Sequence, residues 1–157
     1  GAIVMLIGVT LVTGRQAHAG DAQPKTAPWR SKVANGDYEG ALKQVYAAIR
    51  LNPDTRLDLY LEMADIYRKP EVGLFEDAAA WLSALYDRVV DTPMAATVLL
   101  HRAEVYHYGL GKSREAVIDL LIVEREFPRD ERAVTHARSL RQKIQADWRA
   151  HRKESRT

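Results

Sequence analysis

The stretch that decides the fold reads Gly36-x-Tyr38-x-x-Ala41-x-x-x-Val45-x-x-Ala48-Ile49-x-x-x-Pro53. It returns as Gly111-x-Ser113-x-x-Ala116-x-x-x-Leu120-x-x-Val123-x-x-x-x-Pro128. In both copies an alanine stands twelve residues before the proline. Between glycine and proline the apolar residues recur every three to four positions, the period of one face of an α-helix. The proline ends the pattern because it has no amide hydrogen to donate to a continuing helix.

Outward from these two stretches, the chain is divided by similar signals. Asn52-Pro53-Asp54-Thr55, Thr92-Pro93 and Phe127-Pro128-Arg129-Asp130 are breaks that stop one helix and start the next. Thr55 with Asp58 forms a weak capping box, Thr92 is placed to cap with Pro93 at the first helical position, and Asp130 is the third cap. Softer turns lie at 35–37, 69–73 and 109–113, each with a glycine. These limits predict helices at 28–34, 38–51, 56–68, 75–91, 93–108, 114–127 and 131–152. Apolar stripes run through them: Tyr38, Leu42, Val45, Tyr46 and Ile49 in the second; Phe75, Ala78, Leu82, Leu85, Tyr86 and Val89 in the fourth; Ala133, Ala137, Leu140, Ile144 and Trp148 in the last. The run 117–123 is almost continuously apolar, and its length and flanking charges predict a helix buried on most sides. No stretch with strand period competes, so the fold class is all-α.

The recurring pattern resembles the second half of the tetratricopeptide repeat, which has Gly, an aromatic, Ala, an aromatic or aliphatic, Ala and Pro at those offsets. Its first half is matched by Leu61-x-Met63-Ala64-x-x-Tyr67 and Leu99-x-x-x-Ala103-x-x-Tyr106. The likeness covers about residues 29–128. Small residues at Ala41, Ala48, Ala64, Ala103 and Ala116 let neighbouring helices approach to about 8–10 Å. The pattern departs from the family in two places. Pro28 shortens the leading helix and Trp29 stands where a small residue is usual. In the middle unit the turn at 69–75 is long, and twelve residues before Pro93 stands Trp81 instead of alanine. Irregular units of this kind resemble those of bacterial envelope proteins, the barrel-assembly lipoproteins and cell-division coordinators among them, and the turn Tyr106-x-Tyr108-Gly109-x-Gly111 resembles the Sel-type repeat.

The resemblance implies three helix–turn–helix units and a long C-terminal capping helix, stacked in a short right-handed superhelix. A concave groove lined by the first helix of each pair would receive a peptide or partner helix. By that resemblance the partner-binding positions are Asp58, Leu61, Asp65 and Arg68 in the middle unit, with Thr97, Leu100, Glu104, His107 and Tyr108 in the last. The alternative is a structural subunit of an envelope assembly, docked by its convex face or its C-terminal helix.

The first residues are unlike the rest. Residues 2–12 are apolar and are followed by Ala17-His18-Ala19. An apolar core before A-x-A predicts a secretory signal peptide cleaved after Ala19, and hence a periplasmic or secreted protein. The run is short of the roughly 20 apolar residues that span a bilayer. Without an initiator Met or a charged n-region, the chain reads as starting inside a longer frame. Rival readings are an uncleaved anchor and a buried apolar helix. The expected division is signal peptide 1–19, linker 20–27, repeat domain 28–152 and disordered tail 153–157.

A formal net charge of +2 does not point to nucleic acid, and the absence of cysteine excludes disulfides and thiolate chemistry. No catalytic or cofactor motif is present, so the chain reads as no enzyme and no cofactor is implied. His101-x-x-Glu104-x-x-His107 is the best metal-like constellation. It supplies one Glu-x-x-His pair where a di-iron site needs two pairs and two further carboxylates, so the residues read as polar groups on an inner helix face. Glu124 and Glu126 read as a solvated helix end, and Trp81 and Trp148 as packing residues. The basic residues Arg138, Arg141, Lys143, Arg149, Arg152, Lys153 and Arg156 read as the polar outer face of a capping helix. Membrane association would run through an uncleaved N-terminus or this basic helix.

Overall fold

The computed structural model describes residues 27–154. They form α1 (Pro28–Ala34), α2 (Tyr38–Leu51), α3 (Asp58–Tyr67), α4 (Phe75–Val89), α5 (Met94–Glu104), α6 (Ser113–Glu126) and α7 (Glu131–Glu154). A π-helical turn, Val105–Gly109, prolongs α5. No strand occurs among the described residues. The all-α class holds, and with the π turn counted as part of α5 the helix limits fall within two residues of those read from the breaks. The expected signal peptide at 1–19, and the linker at 20–27 apart from Ala27, lie outside the described residues. α7 continues through residues 153 and 154, into the stretch expected to be a tail. The reason is local: no glycine or proline interrupts the chain from residue 131 to its end.

Each helix packs against the one before it and the one after it, and α5 also meets α7. Two clusters of buried side chains result. One gathers Ala41, Val45, Leu59, Met63, Ala78, Leu82 and Leu85 with Ala95 and Val98 of α5. The other gathers Leu99 and Ala103 of α5 with Ala116, Leu120, Val123, Ala137, Leu140 and Ile144. α5 is the shared wall, and Tyr86, Tyr106 and Phe127 pack against both clusters, so one interior runs through the stack. The alanines at 41, 64, 103 and 116 are buried at helix contacts, as their size requires. Trp81, which replaces the expected alanine, fills its space edge-on against Tyr46 and Tyr60, at centroid distances of 6.2 and 5.3 Å.

The connections alternate in kind. The α1–α2, α3–α4 and α5–α6 turns each contain a left-handed glycine: Gly36, Gly73 and Gly111 have φ of 77°, 65° and 64°. The α2–α3, α4–α5 and α6–α7 connections contain Pro53, Pro93 and Pro128 instead. Caps follow the sequence only in part. Asp130 Oδ1 accepts the Ala133 amide at 3.0 Å, as expected, and Asp37 does the same for Gly40 at 2.9 Å. Thr92 does not cap α5. Its hydroxyl donates backward to the Val89 carbonyl at 2.9 Å. Thr55 does not cap α3 either, since the helix begins at Asp58, two residues after the expected start, with Leu57 at the N-cap.

Three packing expectations need correction. The outer side of α6 is open, with Ile118 57% and Leu121 48% exposed, because no later helix covers it. Trp148 is 38% exposed and belongs to neither core cluster. Glu124 is no solvated helix end: it accepts Arg141 Nε at 2.8 Å and Arg138 Nε at 3.2 Å, and so fastens α7 to α6. Arg141, and then Arg138, hold its carboxyl below the ordinary range against the opposing effect of burial. A depressed carboxylate stabilises the fold above the unfolded pKa and loses that contribution as pH falls through the lower folded value. Glu124→Gln is therefore expected to cost about 1.5–3 kcal/mol at pH 7, the worth of hydrogen bonds to a charged group. Urea unfolding checks this: the deficit should shrink as the pH falls below the ordinary glutamate range and vanish once Glu124 is protonated in the folded protein.

Candidate functional site

The nine positions expected to bind a partner lie on α3 and its C-cap Arg68, on α5 and on the π turn, and the structure sorts seven of them into three groups. The first is a chain of charges. Arg68 Nε stands 2.8 Å from Asp65 Oδ1, and its Nη1 donates to Glu104 Oε2 at 2.9 Å, which joins α3 to α5. Asp65 Oδ1 is also 3.6 Å from His101 Nδ1, and Glu104 Oε1 is 3.4 Å from His136 Nε2 on α7. Burial pushes the Asp65 carboxyl up, but His101 and Arg68 outweigh it and hold it below its ordinary value. Arg30 and Glu62 make a further pair between α1 and α3. One face of α3, α5 and α7 is thus laced by side chains that bridge from helix to helix.

The second group borders a cleft of about 340 Å³ between α5 and α7, lined by Thr97, Leu100, His101, Asp130, Arg132, Ala133 and His136. Thr97 is exposed at its rim. Leu100 is buried in the second core cluster and is the floor of the cleft, not a free anchor. The third group is on the π turn. His107 Nδ1 is 2.9 Å from Ser113 Oγ and its Nε2 is 3.4 Å from Asp147, so the ring clasps the start of α6 and the middle of α7. Tyr108 packs against the His107 ring and is 56% exposed, with Lys143 Nζ 5.2 Å from its centroid. The remaining two positions contribute less: Asp58 is paired with its neighbour Arg56 at the start of α3, and Leu61 packs against the first core cluster.

Glu104 and His107 do not work together, although three-residue spacing suggested a shared face. Leu110 N donates to Val105 O at 3.1 Å, five residues back. The wider π turn has more residues per revolution, so a three-residue step no longer returns to the same side. No group of three or more metal-ligating side chains gathers among the described residues.

The strongest polar arrangement escaped the sequence reading. Arg102 donates to both carboxylate oxygens of Asp119 at 2.8 Å and to Ser83 Oγ at 3.1 Å. Its guanidinium lies over Tyr86 and Tyr106, 5.2 and 5.9 Å from the centroids. Burial works against the Arg102 charge, but Asp119 overrides it and raises the pKa. The signal was present: Asp119 is a carboxylate inside an apolar run, and a buried carboxylate requires a cation. His136 and Asp147 were also passed over, because α7 was read for its basic excess and not for what it turns toward α5.

No protein-family model matches the chain, and the search of curated proteins gives no match.

Proposed function

We propose that the chain is a tetratricopeptide-like module of an exported protein, whose helix pairs stack as a short right-handed superhelix and whose α3, α5 and α7 line a concave groove for a peptide or partner helix. In this reading it binds and does no chemistry, and its place is the periplasm or the exterior. The observation that carries the reading is the cleft between α5 and α7, with Thr97 at its rim, Leu100 as its floor and the exposed Tyr108 beyond it. The alternation of left-handed glycine turns and proline turns supports a repeat of helix pairs. Among the described residues no helix is long and apolar enough to cross a membrane. A shallow apolar floor suits an anchor residue of a partner, and an exposed aromatic such as Tyr108 on the π turn suits a further contact.

A second reading rests on Ile118, Leu121 and Trp148, apolar groups left exposed on α6 and α7, which suit an envelope subunit held by its outer face. Photo-crosslinking residues at Thr97 or at Ile118 in intact cells separate the two. The groove reading expects a defined adduct from position 97 and none from 118; the reverse assigns the outer face. Once the partner is known, Tyr108→Ala is expected to weaken it by about tenfold or more, the scale of an aromatic hot spot, with unchanged thermal stability. Undiminished affinity removes the groove. Glu104 serves this test poorly, because it also holds Arg68 and His136.

A further inference from the structure

We infer that the charge cluster joining α3, α5 and α7 is a proton-operated strap, tightened when an imidazole in it becomes charged. The charges give the reason. Asp65 and Glu104 share one guanidinium, Arg68, which lies within 2.9 Å of both, so two negative charges meet one positive charge. The remaining neighbours of the two carboxylates are His101, 3.6 Å from Asp65, and His136, 3.4 Å from Glu104. Each pair crosses a helix boundary: α5 to α3, and α7 to α5. One proton on either ring balances the cluster, and imidazole is the side chain that ordinarily changes charge between about pH 5 and 8.

The surroundings of both rings bear on this. His101 faces Asp65 of α3 and the C-cap Arg68, with Arg132 and His136 of α7 and the preceding Asp130 across the cleft and Glu104 on its own helix. The charge that α6 turns toward α5, Asp119, is taken by Arg102, which also occupies Ser83 of α4. His136 faces Glu104 and His101 from α5, with Arg132 one turn away on its own helix; Glu124 of α6 is taken by Arg138 and Arg141. Arg68 and Arg132 oppose the first proton and Asp130 favours it; against two cations stand three carboxylates, and the uncompensated one decides the balance. His107 is outside the device: its carboxylate, Asp147, also feels the Lys143 charge and touches neither Asp65, Glu104 nor Arg68.

The test is thermal unfolding of the full chain at pH 8 and pH 6 at fixed low salt. Carboxylic acids ordinarily titrate well below pH 6, so the strap predicts a rise in Tm of about 3 °C on acidification, the scale of a modest stability change in a domain of this size. The rise should be lost in His101→Gln/His136→Gln, retained in His107→Gln, and reduced in 0.5 M NaCl, where exposed pairs are screened. Asp65→Asn/Glu104→Gln, which keeps both imidazoles and removes the charges they meet, should abolish it as well. An equal rise in either double variant, or a flat wild-type profile, overturns the inference. None of these readouts requires the partner, so their failure leaves the groove reading untouched.

Discussion

Asp119→Ala is expected to destabilise the protein by about 3–5 kcal/mol, the range for breaking a buried ion pair from one side. Asp119 and Arg102 have side-chain exposures of only 5% and 14%, so little water is available to replace the lost carboxylate. The guanidinium would remain between the Tyr86 and Tyr106 rings with Ser83 as its only other hydrogen-bond partner among the described residues. At about 3 °C per kcal/mol for a domain of this size, Tm falls by about 10 °C or more. The effect should be large because three helices meet at this pair: Ser83 is on α4, Arg102 on α5 and Asp119 on α6. The discriminating variant is Arg102→Met/Asp119→Leu, which removes both charges and keeps apolar volume. It should recover most of the loss, since a buried pair contributes little over well-packed apolar residues. A loss below about 1 kcal/mol for Asp119→Ala would show that water reaches the pair and that the junction is held by packing alone. Lys43→Met, which removes an exposed i,i+4 partner of Glu39, is the control and should leave Tm unchanged.

What the sequence revealed and what it hid follow the same physical division. Helix limits were legible because they depend on neighbours in the chain: proline without a donor, glycine free to turn left-handed, and apolar residues at helical spacing. Pro28–Ala34 and Tyr38–Leu51 were read to the residue. Caps were less legible, because Thr92 has two partners within reach and takes the carbonyl behind it over the amides ahead. Side-chain partnerships between helices were mostly hidden. Glu124 appeared as a solvated end because its partners, Arg138 and Arg141, come from the next helix. Asp119 was legible as an anomaly, but its cation stands seventeen residues away. Register was hidden for a different reason: the π turn at Val105–Gly109 breaks the α-helical period without any proline, so Glu104 and His107 appeared to share a face that the backbone does not provide. The face of α3, α5 and α7 was thus legible as a set of positions, while the pairing among those positions required the fold.

That π turn is the subject of the second large effect. Gly109→Ala is expected to cost about 1–3 kcal/mol by overpacking. Its φ is not left-handed, so the demand for glycine comes from space and not from backbone conformation. A Cβ at this position would lie 2.6 Å from Phe75 Cγ and 3.0 Å from Phe75 Cβ, and closer still to Cδ1. Contacts that short require the ring or the turn to move. Phe75 is the first residue of α4 and, partly buried, packs against the first core cluster; its Cγ and Cβ are in the way as well as Cδ1, so turning the ring alone does not relieve the clash. The turn must therefore give, and it carries His107 and Tyr108. The substitution should displace the His107 clasp on Ser113 and Asp147, visible as chemical-shift changes at Ser113 and Asp147, on separate helices. Removing the ring tests the cause. In a Phe75→Ala background, which removes the two shortest contacts and keeps the one to Cβ, Gly109→Ala should cost less, which makes the two substitutions non-additive by about 1 kcal/mol or more, as for residues in direct contact. Strict additivity would mean that Gly109 matters for the turn itself and not for its contact with α4. Because the ring fixes the turn and the turn presents Tyr108, the double variant also separates the position of the anchor from its chemistry: with the turn relaxed, Tyr108 is still present but no longer held beside Lys143.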